Sequence, residues 1–229
     1  NEQIAVLNHQ LKDENVRMSH ELDVARQLQQ IVLPTEEEYA HFKDLDIACA
    51  MVSTDVVGGD YYDVIYSPPG GIIAIGDLTG KGLNAGILMM MVHTALRSLS
   101  QVEQQDIVRL FKVINRILFD FRMRMEDNQT MTLALFKYAG EGRFVLTGMH
   151  ENLLRLRPVG ALSAAGQEQS EVTPIDFGMY AGLEEDVEHY MELLDFEIAP
   201  GETIILYTDG ITEARNHEEN EFGVDGILD

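Results

Sequence analysis

The stretch that decides the reading is residues 58–80, GGDYYDVIYSPPGGIIAIGDLTG. Two apolar runs, 61–66 (YYDVIY) and 71–76 (GIIAIG), flank the turn sequence SPPG and predict a hairpin of two strands. Asp60 and Asp77 stand equally far from the middle of that turn, between Pro68 and Pro69. In a symmetric antiparallel hairpin, such residues face each other. The spacing therefore predicts two carboxylates opposed at the open end. That pairing repels and costs stability unless a cation or a proton lies between them. Gly58, Gly59, Gly76, Gly80 and Gly82 surround the pair and permit close approach of backbone.

A third aspartate, Asp209, lies in IILYTDGITEA. It follows an apolar strand-like run and precedes Gly210 and a helix start. Each of these aspartates alone reads as a turn or cap residue. Three in the same pattern, apolar strand then Asp then a small or glycine-rich turn, point to one ligand-binding site. Hard oxygen ligands of this kind suit Mg²⁺ or Mn²⁺ rather than zinc.

Working outward, residues 83–99 (LNAGILMMMVHTALRSL) predict a largely buried helix with Met89, Met90 and Met91 as core filler. Residues 106–124 predict an amphipathic helix with Asp106 as N-cap. Strands are expected at 44–53, 131–138, 143–149, 152–157, 191–198 and 203–208. Strands, a helix pair, then strands form an α+β pattern, an antiparallel sheet covered by helices.

Residues 1–33 are polar, with apolar residues at Ile4, Leu7, Leu11, Met18, Leu22, Ala25, Leu28 and Val32. Steps of mostly three, four or seven give a helix with one narrow apolar stripe, ended by Pro34. A lone helix packed on its own domain is one reading. The narrow stripe favours the other, a coiled-coil-like linker that dimerises or carries a signal from an upstream sensor or receiver domain. The chain starts at Asn1 rather than Met, which fits a piece of a longer protein.

Composition excludes several classes. The 229 residues carry 39 Asp+Glu against 16 Lys+Arg, a formal net charge of −23. That opposes binding to nucleic acid or to anionic membranes. No run of apolar residues is long enough for a membrane span. Cys49 is the only cysteine, so no internal disulfide forms and a reducing, cytoplasmic setting is expected. Within its apolar run Cys49 reads as inert core. The segment GDLTGKG is not a P-loop, because its glycine spacing is one residue short and Gly82 stands where Ser or Thr is required. His9, His20, His41, His93, His150, His189 and His217 show no zinc spacing. His93 reads as a core or interface residue, and His150, two residues after Gly148 at a strand end, as a weaker candidate for a place near the site.

The segments GGDYYDVI, IAIGDLTGKGLNAGILM and IILYTDGITEARN…EFG resemble the SpoIIE/RsbU-type bacterial serine phosphatases, a branch of the metal-dependent PP2C (PPM) superfamily. The similarity covers roughly residues 30–229, in order and spacing. LTGMHENLLRLR resembles a family loop that usually reads Ala-Gly-His-Pro, altered here to Gly148-Met149-His150-Glu151.

The resemblance implies a PP2C-like sandwich of two antiparallel β-sheets flanked by helix pairs, spanning residues 34–229. It implies a centre of two Mn²⁺ or Mg²⁺ ions. Asp77 would bridge both ions, Asp60 and the Leu78 carbonyl would bind the second, and Asp209 the first. Gly58, Gly59, Gly76, Gly80 and Gly210 would support the loops around them. The family adds an Asp from an Asp-Asp motif on a final strand; no such strand is found before Asp229, so the domain is read as lacking it. The chemistry implied is attack of water on the phosphorus of phosphoserine or phosphothreonine, with no protein nucleophile. The expected substrate is a phosphorylated STAS-type anti-sigma-factor antagonist of a partner-switching pathway. The alternative is a catalytically silent PP2C-like module that sequesters an anti-sigma factor or its antagonist. The intact Asp60, Asp77 and Asp209 favour catalysis.

Overall fold

The hairpin forms as its sequence dictates. In the computed structural model, which describes residues 2–52, 58–80, 82–101, 106–125, 128–158 and 170–228, β1 (Asp60–Ser67) and β2 (Gly70–Leu78) pair antiparallel. Their register runs from Ser67↔Gly70 to Asp60↔Asp77, which puts the two carboxylates opposite one another as the spacing requires.

Alternation of side chains then sorts the hairpin into two faces. Tyr61, Ile65, Ile72, Ala74 and Leu78 enter one buried cluster, and Val64 and Ile75 enter another on the opposite face. Asp60 and Asp77 share parity with Val64 and Ile75, so they extend the second face.

The first face is covered by α3 (Leu83–Ser100) and α4 (Ile107–Met125). Met89, Val92 and Leu96 of α3 and Leu110, Phe111 and Ile114 of α4 supply that core. Asp106 caps α4 as expected, its Oδ1 accepting from the Arg109 N–H at 2.9 Å. Met89 is fully buried, and Met90 and Met91 pack against the same cluster.

β3 (Met131–Tyr138) adds to β2, and β4 (Arg143–Leu156) adds to β3. The two strands expected at 143–149 and 152–157 are this one strand. Its register shifts between His150 and Leu153, the kind of irregularity that a β-bulge introduces. β5 (Ser170–Phe177), β6 (Leu194–Glu197) and β7 (Thr203–Ile205) all pair with β4. The described strands thus form one seven-stranded antiparallel network, with β4 common to its two halves. β6 and β7 are shorter than the runs at 191–198 and 203–208 that predict them.

The expected strand at 44–53 is a correction. Among the described residues, 44–52 pair with no strand, and residue 53 lies outside them. The segment is nonetheless extended against the sheet. Leu45, Ile47 and Cys49 turn inward in strict alternation and pack on the second cluster beside Phe42 and Tyr39. Its period-two pattern was real, but it serves packing and no ladder. Cys49 is half-buried there, and burial pushes its thiol pKa up, which leaves it unreactive.

The N-terminal helix α1 (Glu2–Val32) is continuous up to the turn before Pro34. Ile4, Leu7, Leu11 and Met18 are exposed, whereas Val32 is 1% exposed and belongs to the helix-side core. The side chains of Leu22, Ala25 and Leu28 lie outside those described. A single turn, α2 (Glu36–Tyr39), follows, and the short helices α5 (Asp209–Thr212) and α6 (Gly223–Leu228) close the described chain. Among the described residues no helix is long and apolar enough to cross a membrane.

Candidate metal centre

Asp60, Asp77 and Asp209 each bring a carboxylate oxygen to within 4.8 Å of the other two. All three are partly buried. Two come from the open end of the hairpin, and the third from the first residue of α5, more than 130 residues further along the chain. Repulsion among three carboxylates at this spacing must be offset by cations or protons.

The peptide around Leu78 is fixed on both sides. The Leu78 N–H donates to the Gly59 carbonyl at 3.0 Å, and the Thr79 N–H donates to the Thr130 carbonyl at 2.8 Å. Gly59 is where the fit is tightest. A Cβ there would sit 2.0 Å from the Leu78 oxygen and 2.6 Å from Asp77 Oδ1. No side chain can enter, and the absence of one lets the Leu78 carbonyl and the Asp77 carboxylate lie against the chain that carries Asp60. The donor set is three carboxylates beside a peptide oxygen, and it fits a hard divalent cation.

Of the other glycines expected to support the loops, Gly80 is required by its positive φ of 97°. Gly76 is required because its Cβ would meet the Thr132 carbonyl at 2.2 Å. Gly58 and Gly210 are different: a Cβ would meet nothing nearer than 3.6 Å and 3.9 Å, so neither is demanded by packing.

Asp209 is held by its turn. Its carbonyl accepts from the Glu213 N–H at 2.7 Å, and the Ile211 N–H donates to the Thr208 carbonyl at 3.1 Å. Glu151, at the β4 irregularity, faces this region. Burial raises its carboxyl pKa, and the charges of Asp209 and Glu213 raise it further.

His150 does lie beside the site. Its Nδ1 is 2.9 Å from Thr132 Oγ1, and its Nε2 is 3.0 Å from the Tyr207 carbonyl. Burial is the main cause that lowers its pKa to about 4, opposed by the Tyr207 carbonyl and the Asp209 charge.

Two features near the site escaped sequence reasoning. Asp63 is fully buried among the helix-side apolar residues. Burial works to raise its pKa, yet His93 Nδ1 3.3 Å away and the hydrogen-bonded Arg97 guanidinium hold the carboxyl below the usual range. Arg97 of α3 forks onto it at 3.0 Å and 2.7 Å and also bonds Glu38 of α2. The signal was available: Asp63 shares parity with Tyr61 and Ile65, so a charge there must be paired inside the core. The second is Gln29, 2% exposed, whose amide donates to the Asp60 carbonyl at 3.3 Å. Nothing in the stripe of α1 marks it, because it is a polar residue beside the apolar positions.

The architecture is that of a PP2C domain. It is similar to the SiaA-PP2C domain of Pseudomonas aeruginosa, with a TM-score of 0.70 and 19% identity over 93% of this chain and 81% of that one. It is also similar to the RsbU and RsbW domains of Rv1364c from Mycobacterium tuberculosis, with a TM-score of 0.52 and 19% identity over 69% of this chain and 41% of that one. Within this class the chain belongs to the SpoIIE family (Stage II sporulation protein E), which matches residues 69–229 and so includes both Asp77 and Asp209. It is 26% identical over 225 residues to the phosphoserine phosphatase RsbU of Bacillus subtilis (strain 168). The match takes in 96% of this chain but 61% of RsbU, so the chain spans about three fifths of that relative's length.

Proposed function

We propose that this chain is a metal-dependent protein serine/threonine phosphatase that hydrolyses phosphoserine or phosphothreonine on a regulatory protein. The convergence of Asp60, Asp77 and Asp209 within 4.8 Å carries the reading. Similarity to a named phosphoserine phosphatase supports it. A STAS-type anti-sigma-factor antagonist is the proposed substrate class, on the strength of the same kinship.

In this reading Asp77 would bind both of two Mn²⁺ or Mg²⁺ ions, Asp60 and the Leu78 carbonyl would hold one of them, and Asp209 would hold the other. Such a pair lowers the pKa of water and offsets charge on a phosphoryl group. The protein supplies the rest. The β1–β2 register sets the separation of Asp60 and Asp77, Gly59 keeps side chains out of the hairpin end, and the α5 turn presents Asp209 from the far side.

Residues 1–33 serve as a linker from an upstream sensor or receiver domain and as a dimer seam. Exposed Ile4, Leu7, Leu11 and Met18 support the seam, and the Gln29 bond to Asp60 supports a mechanical link to the centre. Removing residues 1–18 is expected to halve the mass seen by sedimentation; an unchanged mass contradicts the seam.

The activity is tested by Mn²⁺-dependent hydrolysis of a phosphoserine protein, with Asp77→Asn as control. Turnover that needs the cation and fails in the variant is expected. Turnover indifferent to either contradicts the proposal.

A further inference from the structure

β2 and β3 carry Asp77 and Thr132 as direct register partners, whereas Asp209 follows β7, which among the described strands pairs with the far end of β4. Among the described residues β2 and β7 do not pair directly; they are linked only through β3 and β4. His150 sits between the two parts, just past the last β3–β4 pair at Met149 and just before the first β4–β7 pair at Leu154. It shares parity with Phe144 and Leu146, so it faces the same side of the sheet as Asp60, Asp77 and Thr132.

The hydrogen bonds have one consistent direction. The Tyr207 carbonyl can only accept, so His150 Nε2 carries the proton of that 3.0 Å bond. A neutral ring then leaves Nδ1 bare, and at 2.9 Å Nδ1 is a closer acceptor for the Thr132 hydroxyl proton than the Asp77 carbonyl at 3.4 Å. The same Thr132 oxygen accepts from the Asp77 N–H at 2.9 Å. The route runs Asp77 N–H to Thr132 O–H to imidazole to Tyr207 carbonyl, two residues before Asp209.

We propose that His150 is a positioning residue, which through Thr132 and Tyr207 sets the distance between the Asp77 and Asp209 carboxylates and so the affinity of the centre for its cations. The inference rests on the metal-dependent reading above. Burial that disfavours the charged ring supports it, since a second ring proton would oppose the Thr132 hydroxyl.

The test is a double-variant cycle on the full chain, read by calorimetric titration with Mn²⁺. His150→Phe keeps an aromatic ring, somewhat larger, and removes both bonds; Thr132→Val keeps the shape and removes the hydroxyl. Each is expected to weaken Mn²⁺ binding by about tenfold or more. The double variant is expected to be no weaker than the poorer single, because both cut one route. His150→Asn retains an acceptor in place of Nδ1 and is expected to recover part of the loss. It also serves as the reading variant should His150→Phe fail to fold. A residue that is merely structural lowers the melting temperature without metal and leaves Mn²⁺ affinity of the folded protein within twofold. That result, or effects of the two variants that simply add, overturns the proposal. Wild-type protein that binds no Mn²⁺ overturns this inference and the phosphatase reading together, whereas unchanged affinity in the variants overturns this inference alone.

Discussion

The two parts that meet at the centre are built differently. The β1–β2 hairpin is long, paired along its whole length and backed by buried residues on both faces. The arm that carries Asp209 is a strand of three residues followed by a four-residue helix, and its residues are partly exposed. Asp60 and Asp77 are therefore placed by a ladder, whereas Asp209 is placed by a turn, by the imidazole of His150 and by the Glu202 clamp on Arg155 and Arg157 where β7 begins. The difference teaches that half of the centre is part of the folding core and the other half is docked onto it. Changes that break the packing or backbone of the hairpin should cost both fold and function, and changes in the arm should cost function first.

The largest expected effect is on chemistry. Asp77→Asn preserves shape and removes the shared charge. Loss of about 4 kcal/mol of transition-state stabilisation, roughly a thousandfold in rate, is expected in a Mn²⁺-dependent assay. The melting temperature should stay near wild type or rise, because a repelling carboxylate is gone.

Next is the middle of the hairpin. Asp63→Ala strips a buried ion pair of its anion and leaves Arg97 and the Tyr61 hydroxyl without that partner. A loss of about 3 kcal/mol is expected by chemical denaturation, the low end for a broken buried pair because Arg97 retains some access to water. A variant as stable as wild type would show that the hairpin is not the rigid half.

The junction between the halves gives a pH signature. His150 resists protonation until a pH of about 4 in the folded state, whereas in the unfolded chain it takes a proton near 6.5. The unfolded state thus binds more protons between those values. Its contribution to stability is complete above pH 6.5 and declines as pH falls toward 4, by roughly 2–3 kcal/mol. Denaturation curves at pH 7 and pH 5 should separate less for His150→Phe than for wild type. Equal separation would contradict the neutral, buried imidazole.

The smallest effect discriminates most finely. Gly59→Ala must open the hairpin end, since its Cβ would lie 2.0 Å from the Leu78 oxygen, and a cost of about 2 kcal/mol is expected. Gly58→Ala next to it, with no contact under 3.6 Å, should be close to neutral. A reversed order would mean that the end of the hairpin is not where the backbone is tightest.

The sequence made the strong half legible and the docked half only in outline. Equal spacing about the SPPG turn was enough to place Asp60 against Asp77, because a tight turn leaves one register. The helices α3 and α4 fall within a residue or two of the expected bounds, since each carries a continuous apolar pattern and α4 a capping aspartate. The extended run at 44–52 reads like a strand because it has a strand's alternation, and only tertiary context decides whether hydrogen-bond partners exist. β5 was not anticipated: in SEVTPIDF a proline interrupts a mostly polar pattern, and its pairing comes from β4 rather than from its own composition. Residues 143–157 read as two strands because the polar Glu151 and Asn152 interrupt the apolar pattern, yet the backbone runs through them as an irregularity in one strand. Asp209 was found by its motif, but its meeting with the hairpin is a long-range event that no local spacing encodes.

The central claim is that one centre is assembled from these two unequal halves. It is tested most directly by a crystal of the full chain soaked in Mn²⁺ and measured at the manganese absorption edge. Anomalous density is expected between the hairpin end and the α5 turn, with carboxylate oxygens of both Asp77 and Asp209 about 2.1 Å from metal. Density confined to one half, or none between Asp60, Asp77 and Asp209, would contradict the claim.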